Sequence, residues 1–212
     1  MDMADRIQFV YNTLTKEHHS ARVHLHHRTP FELLIATVLA AQCTDEKVNQ
    51  VTEVLFAKYP SVKSLAKAYI EDVESIVKPT GFYKNKSQNI IDIAKMLLRF
   101  HKGDVPRKMD AMLKLPGVGR KTANVVLASC FYKPAIIVDT HVKRVTNRIG
   151  LTKEKEPEKI EQDLQAKIDK NKWSRFSYVI NEHGRQICRA KKPECGQCKI
   201  SRACDFFAQR AE

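Results

Sequence analysis

Apolar residues recur at helical spacing along almost the whole chain, and the breaks in that pattern carry helix start and stop signals. Ile7, Val10, Tyr11 and Leu14 fall at i, i+3, i+4 and i+7, on one helical face. Thr29-Pro30-Phe31-Glu32 reads as a capping box with proline at the first helical position, opening the apolar run Leu33 to Ala41. Val48, Val51 and Leu55 share the next face, capped by Thr44 or Asp45 and stopped at Tyr59-Pro60, with Ser61 as a restart. The same logic predicts a short helix through Val73 and Ile76 ending near Pro79-Thr80-Gly81. A longer one follows, carrying Ile90, Ile93, Ala94 and Leu97 and ending at Gly103. Helical patterns resume around Val142 to Ile149, Ile160 to Ile168, and Trp173 to His183, where Gly184 predicts the stop. Ala135 to Val138 is the one strand-like run; it has no partner, so a buried connector is expected. With only 7 Gly and 8 Pro, turn formers are too few for many short strands, and the chain is expected to be all-α with about ten helices.

Size and charge narrow the function. The 212 residues include 37 Lys and Arg against 24 Asp and Glu, a formal net charge of +13, and 43% hydrophobic residues suffice for a core. Such excess positive charge points to a polyanionic partner. The N-terminal stretch carries Asp2, Asp5 and Arg6 where an export signal needs an apolar run. The longest uncharged stretches, Leu33 to Thr44 and Thr122 to Tyr132, are too short to span a bilayer. A soluble, cytoplasmic protein with no membrane association is expected, and six cysteines in a reducing compartment read as thiols or metal ligands.

Four of those cysteines, Cys188, Cys195, Cys198 and Cys204, fall within the last 25 residues as Cys-x6-Cys-x2-Cys-x5-Cys. Thiolates this close in sequence can converge without a large core to position them. Tetrahedral zinc and a cubane iron-sulfur cluster both take four thiolates; the long arms around the single Cys-x2-Cys suit the larger object, but ligand count does not separate the two. The first arm, Arg189-Ala190-Lys191-Lys192-Pro193-Glu194, would be a stiffened basic loop with Lys191 and Lys192 set to meet phosphate. Cys43 and Cys130 lie in apolar helical runs and read as small core residues.

Leu115-Pro116-Gly117-Val118-Gly119-Arg120-Lys121 places two glycines in a tight turn immediately before a helix. Backbone N–H groups at such a helix start bind a phosphate without reading sequence, which predicts DNA or RNA contact at Gly117, Val118, Gly119 and Arg120. Lys121 lies in the first helical turn, where the dipole disfavours its positive charge, and a neutral amine there is a nucleophile able to form a Schiff base with a sugar carbon. Asp139 follows four apolar residues and precedes a helix. It reads as an N-cap whose second carboxylate oxygen is left for a substrate, with His141 nearby to orient it.

Together, LPGVGRKTA (Leu115 to Ala123), VDTHVKRV (Val138 to Val145), AQCTD (Ala41 to Asp45) and the four-cysteine tail resemble the endonuclease III family of helix-hairpin-helix DNA glycosylases over nearly the whole chain. The resemblance implies a six-helix barrel domain over residues 22–133 and a second helical domain from 1–21 and 134–212. That second domain would carry a 4Fe-4S cluster on the four cysteines, and the active site would lie in the cleft between the domains. It implies Lys121 as the nucleophile at C1′ of a damaged nucleotide and Asp139 as the catalytic carboxylate. It implies Gln42 as the residue filling the vacated base stack, and Phe82, where relatives often have leucine, as an apolar wedge; read without the family, these two are a polar helix-end residue and a core aromatic. A monofunctional adenine glycosylase lacks the lysine, so Lys121 favours a bifunctional enzyme. A DNA-binding module with structural zinc is the non-enzymatic alternative. The implied substrate is damaged double-stranded DNA carrying an oxidised pyrimidine such as thymine glycol, and the implied state is a monomer in the bacterial cytoplasm or nucleoid.

Overall fold

The computed structural model describes residues 1–211 as helices joined by short loops, with no strand among them. The helices are α1 Met3–Glu17, α2 Pro30–Leu39, α3 Asp45–Lys58, α4 Val62–Ala66, α5 Ile70–Val77, α6 Tyr83–His101, α7 Met109–Met112, α8 Arg120–Phe131, α9 Thr140–Ile149, α10 Pro157–Lys167, α11 Trp173–Gln186 and α12 Asp205–Ala211. Single 3-10 turns intervene at Lys78–Thr80, Lys170–Lys172, Cys195–Gln197 and Ser201–Ala203. No described helix is long and apolar enough to cross a membrane.

The starts lie where short polar side chains can take an unpaired amide. The Thr29 hydroxyl accepts from Glu32 N at 3.1 Å, Thr44 from Lys47 N at 3.3 Å, and Ser61 forms a complete box with Ser64. At α2 the box is only half made, because the Glu32 carboxylate takes the Arg28 amide at 2.6 Å in place of that of Thr29.

The chain forms two compact units, residues 24–133 and residues 1–23 with 134–212. In the first, α2 is buried on every side: Leu33, Leu34, Ile35, Ala36 and Leu39 have no exposed surface, and the helix packs on α8, α3 and α6. This uniform burial follows from its composition, since PFELLIATVL has one charged residue. In the second unit Val10 and Leu14 of α1, Val142 and Val145 of α9, and Phe176, Val179 and Ile180 of α11 share one core.

Two expectations are corrected here. Gly184 does not end α11, which runs on to Gln186. A Cβ on Gly184 would meet that of His141 at 2.9 Å and Val145 Cγ2 at 3.1 Å, so this glycine serves the close approach of α11 to α9. Cys43 and Cys130 are only half-buried.

Candidate active site and cysteine cavity

The turn before α8 is built by Gly117, whose φ of +71° favours glycine; an added Cβ would come within 2.7 Å of Asn89 Nδ2. Val118 is spent on the turn itself, its side chain buried and its amide donating to Leu115 O at 3.2 Å. That removes the Val118 N–H from the set expected to meet phosphate. Gly119 differs again. It has ordinary extended φ, open space where a Cβ would stand, and as N-cap of α8 offers no side-chain acceptor. The first α-helical bond here is Ala123 N to Gly119 O at 3.0 Å, so the amides ahead of Ala123 in the first turn have no intrahelical carbonyl to reach. They add to the positive end of the helix dipole. Lys121 stands exposed in that same turn, and Arg120 beside it is half-buried.

In the other unit, Ala135, Ile136, Ile137 and Val138 are all buried, as a connector should be. Hydroxyls of α11 replace a neighbouring strand: Ala135 N donates to Ser174 Oγ at 3.2 Å and Ile137 N to Ser177 Oγ at 2.9 Å. This docked segment delivers Asp139 to the start of α9. There Oδ1 accepts from Val142 N at 2.8 Å, and Oδ2 accepts a short hydrogen bond from Asn181 Nδ2. Arg185 Nε in turn holds Asn181 Oδ1 at 3.0 Å. Asn181 is therefore the residue that orients the carboxylate, and His141 is not. His141 Nδ1 lies 3.2 Å from Arg144 Nη2, which also donates to Gly184 O at 2.8 Å. Burial, opposed by the Asp139 charge, holds the His141 imidazole below its usual range. Nothing in the pattern around Asp139 marked Asn181; the only available signal was its place one turn before the Arg185 of the same helix.

Gln42 and Phe82 share an unusual backbone. Both have left-handed φ, +55° and +47°, and both are exposed, Phe82 to 65%. Phe82 is thus not a core aromatic.

Cys188, Cys195, Cys198 and Cys204 line one cavity, walled by Val145, Ile149, Ile187 and Phe206. The thiols are near enough to influence each other's ionisation. Burial pushes the Cys198 thiol up to about 11, and Cys204, Cys188 and Cys195 act in the same direction. Burial raises the Cys204 thiol as well, and two thiols that resist ionisation need cationic charge beside them to become thiolates. Arg148 braces the loop that follows Cys188: it donates to Arg189 O and Ala190 O, each at 2.8 Å, and reaches Cys188 Sγ at 3.4 Å. Lys191 and Lys192 stand exposed beyond those carbonyls.

Residues 35–170 match the family described as the HhH-GPD superfamily of base excision DNA repair proteins. The chain is 45% identical to the endonuclease III of Synechocystis sp. over 192 residues, 90% of this chain and 88% of that protein. It is 38% identical to the Escherichia coli K12 enzyme of that name, with 97% of each chain covered. The chain belongs to the endonuclease III family. Among solved structures, a trapped endonuclease III–DNA covalent intermediate, an estranged-adenine complex, superposes with a TM-score of 0.94 at 40% identity over 100% of both chains. The family's fold is the all-α one described above, and a thermostable thymine-DNA glycosylase shares it at TM-score 0.81 and 25% identity.

Proposed function

We propose that this member of the endonuclease III family is a bifunctional base excision repair enzyme, a DNA glycosylase and abasic-site lyase. Lys121 is its nucleophile, Asp139 its catalytic carboxylate, and oxidised pyrimidines such as thymine glycol in duplex DNA its substrates. The observation that carries this reading is the start of α8, where an exposed amine shares one helical turn with amides that no intrahelical carbonyl takes. Those amides, with Gly117, Gly119 and Arg120, hold a phosphate, and the amine stands beside the sugar that follows. Lys191 and Lys192 meet the backbone from their braced loop. Gln42 and Phe82 occupy the space that the extruded nucleotide leaves.

In its neutral form the Lys121 amine adds to C1′ as the bond from C1′ to the base breaks, and the base departs with a proton. The sugar ring then opens at O4′ to give an imine cation on Nζ. Loss of a proton from C2′ expels the 3′ phosphate, cutting the strand by β-elimination, and water hydrolyses the imine to free the lysine. Asp139, one oxygen fixed by the α9 amide and the other by Asn181, keeps lone pairs in a set direction to stabilise positive charge developing on the sugar.

Cys188, Cys195, Cys198 and Cys204, which line one cavity, would hold a 4Fe-4S cluster. When bound, the cluster would supply the cationic charge that favours the thiolate form of these half-buried cysteines, while Arg148 braces the loop that carries Lys191; iron and sulfide analysis is the check. A monomer in the bacterial cytoplasm or nucleoid completes the reading.

Borohydride trapping on a duplex carrying one thymine glycol tests the mechanism. A covalent complex is expected with this protein and none with Lys121→Gln. Base release without any trapped species would instead indicate a monofunctional glycosylase.

A further inference from the structure

Lys86 is a buried cation, 5% exposed in the second turn of α6, and among the described residues no carboxylate pairs with it. Its Nζ donates to two backbone carbonyls, Leu39 O at 2.9 Å and Thr80 O at 2.7 Å. Desolvation draws its pKa down, against the nearby Cys43 thiol, so the position is electrostatically unfavourable for lysine. An apolar side chain would fill the same volume without that penalty, but it could not hold two carbonyls.

Both carbonyls close elements that lead into exposed, left-handed residues. Leu39 is the last residue of α2, three before Gln42, and Thr80 ends the 3-10 turn two before Phe82. The Lys86 amide also takes Phe82 O at 3.1 Å. One residue therefore grips the Phe82 turn on both sides and ties it to the end of α2. Left-handed backbone at residues other than glycine persists only where the surroundings over-determine it. Here the over-determining group is a single ammonium common to both loops.

We propose that Lys86 is a positioning residue for DNA opening: its buried ammonium locks the Gln42 and Phe82 loops at one spacing, so that both side chains enter the duplex together when a damaged nucleotide leaves the stack. The inference rests on the assignment of Gln42 and Phe82 to the vacated space. A duplex that releases one nucleotide leaves a gap of fixed size, and a flat aromatic and an amide held at constant separation fill it without first paying to order two loops.

The test compares Lys86→Met with Gln42→Ala and Phe82→Ala, singly and combined, at a temperature where circular dichroism reports every variant folded. Two single-turnover rates are read: base excision from a thymine glycol duplex, and strand cleavage of a single-stranded abasic oligonucleotide, which needs no extrusion. Lys86→Met is expected to lose about tenfold to a hundredfold on the duplex and to stay within about twofold on the single strand. In the Phe82→Ala, Gln42→Ala background it should lose little more, because the loops it positions no longer carry their side chains. Lys86→Arg, which keeps the charge, should recover part of the duplex rate. Equal losses on both substrates, or losses that add fully in the combined variant, would show a merely structural lysine and overturn the proposal. If Gln42→Ala and Phe82→Ala leave the duplex rate intact, the loop assignment itself falls, and the proposal with it.

Discussion

Asn181 and the two hairpin glycines show how much of this site depends on single atoms. Asn181 touches Asp139 and no other group assigned to the chemistry, so its loss leaves the carboxylate present and misdirected. Asn181→Ala is expected to lower single-turnover excision by about tenfold, with substrate affinity little changed; a wild-type rate would remove Asn181 from the mechanism. Gly117 and Gly119 are two residues apart and differ in kind. Gly117→Ala forces a Cβ against Asn89 at a left-handed position, which should cost about 1–3 kcal/mol in denaturant unfolding. Gly119→Ala meets open space at ordinary φ, so stability should hold within about 0.5 kcal/mol while affinity for abasic DNA falls, because the new methyl stands where a phosphate must approach. A stable Gly119→Ala protein with unaltered affinity would count against phosphate binding there.

At the scale of elements, the contact of α1 with α11 carries a pH dependence. His18, which caps the C-terminus of α1, and His183 of α11 are both buried, with His18 Nε2 and His183 Nδ1 3.5 Å apart. Burial, reinforced by His18, pushes His183 down to about 4, and burial lowers His18 as well. Both imidazoles are thus neutral in the fold and take up protons more readily when it opens. Between the ordinary value of 6.5 and about 4 the unfolded chain binds more protons, so stability is full above that window and is lost as pH falls through it. His183 alone should account for up to about 3 kcal/mol. Urea unfolding at pH 8, 6 and 4.5 checks the slope, and a His183→Gln protein should show a flatter one. The same scale explains why Gly184 does not stop α11. Glycine is a good stop signal in a sequence, and only the proximity of α9 reveals Gly184 as a contact residue.

For the molecule as a whole, a net charge of +13 makes DNA affinity a matter of counterion release. If about six phosphates are neutralised, affinity should fall about a thousandfold between about 50 and 200 mM salt, and Lys191→Ala with Lys192→Ala should flatten that slope without altering the choice of lesion. A dissociation constant indifferent to salt would contradict the phosphate contacts. Helical periodicity, the caps at Thr29, Thr44 and Ser61, the shortage of glycine and proline, the basic charge and the four-cysteine spacing are local or additive properties, and each was legible in the chain before any coordinate. They determined an all-α protein with a polyanionic partner and a thiolate site, and the motifs around Lys121 and Asp139 pointed to the family. Long-range contacts decided the rest. Asn181 reaches Asp139 across 42 residues, Lys86 reaches Leu39 across 47, and four cysteines come to line one cavity. Sequence spacing along one helix cannot specify such meetings, because which side chains face each other is set by how separate helices pack, and burial and hydrogen-bond partners follow from that packing.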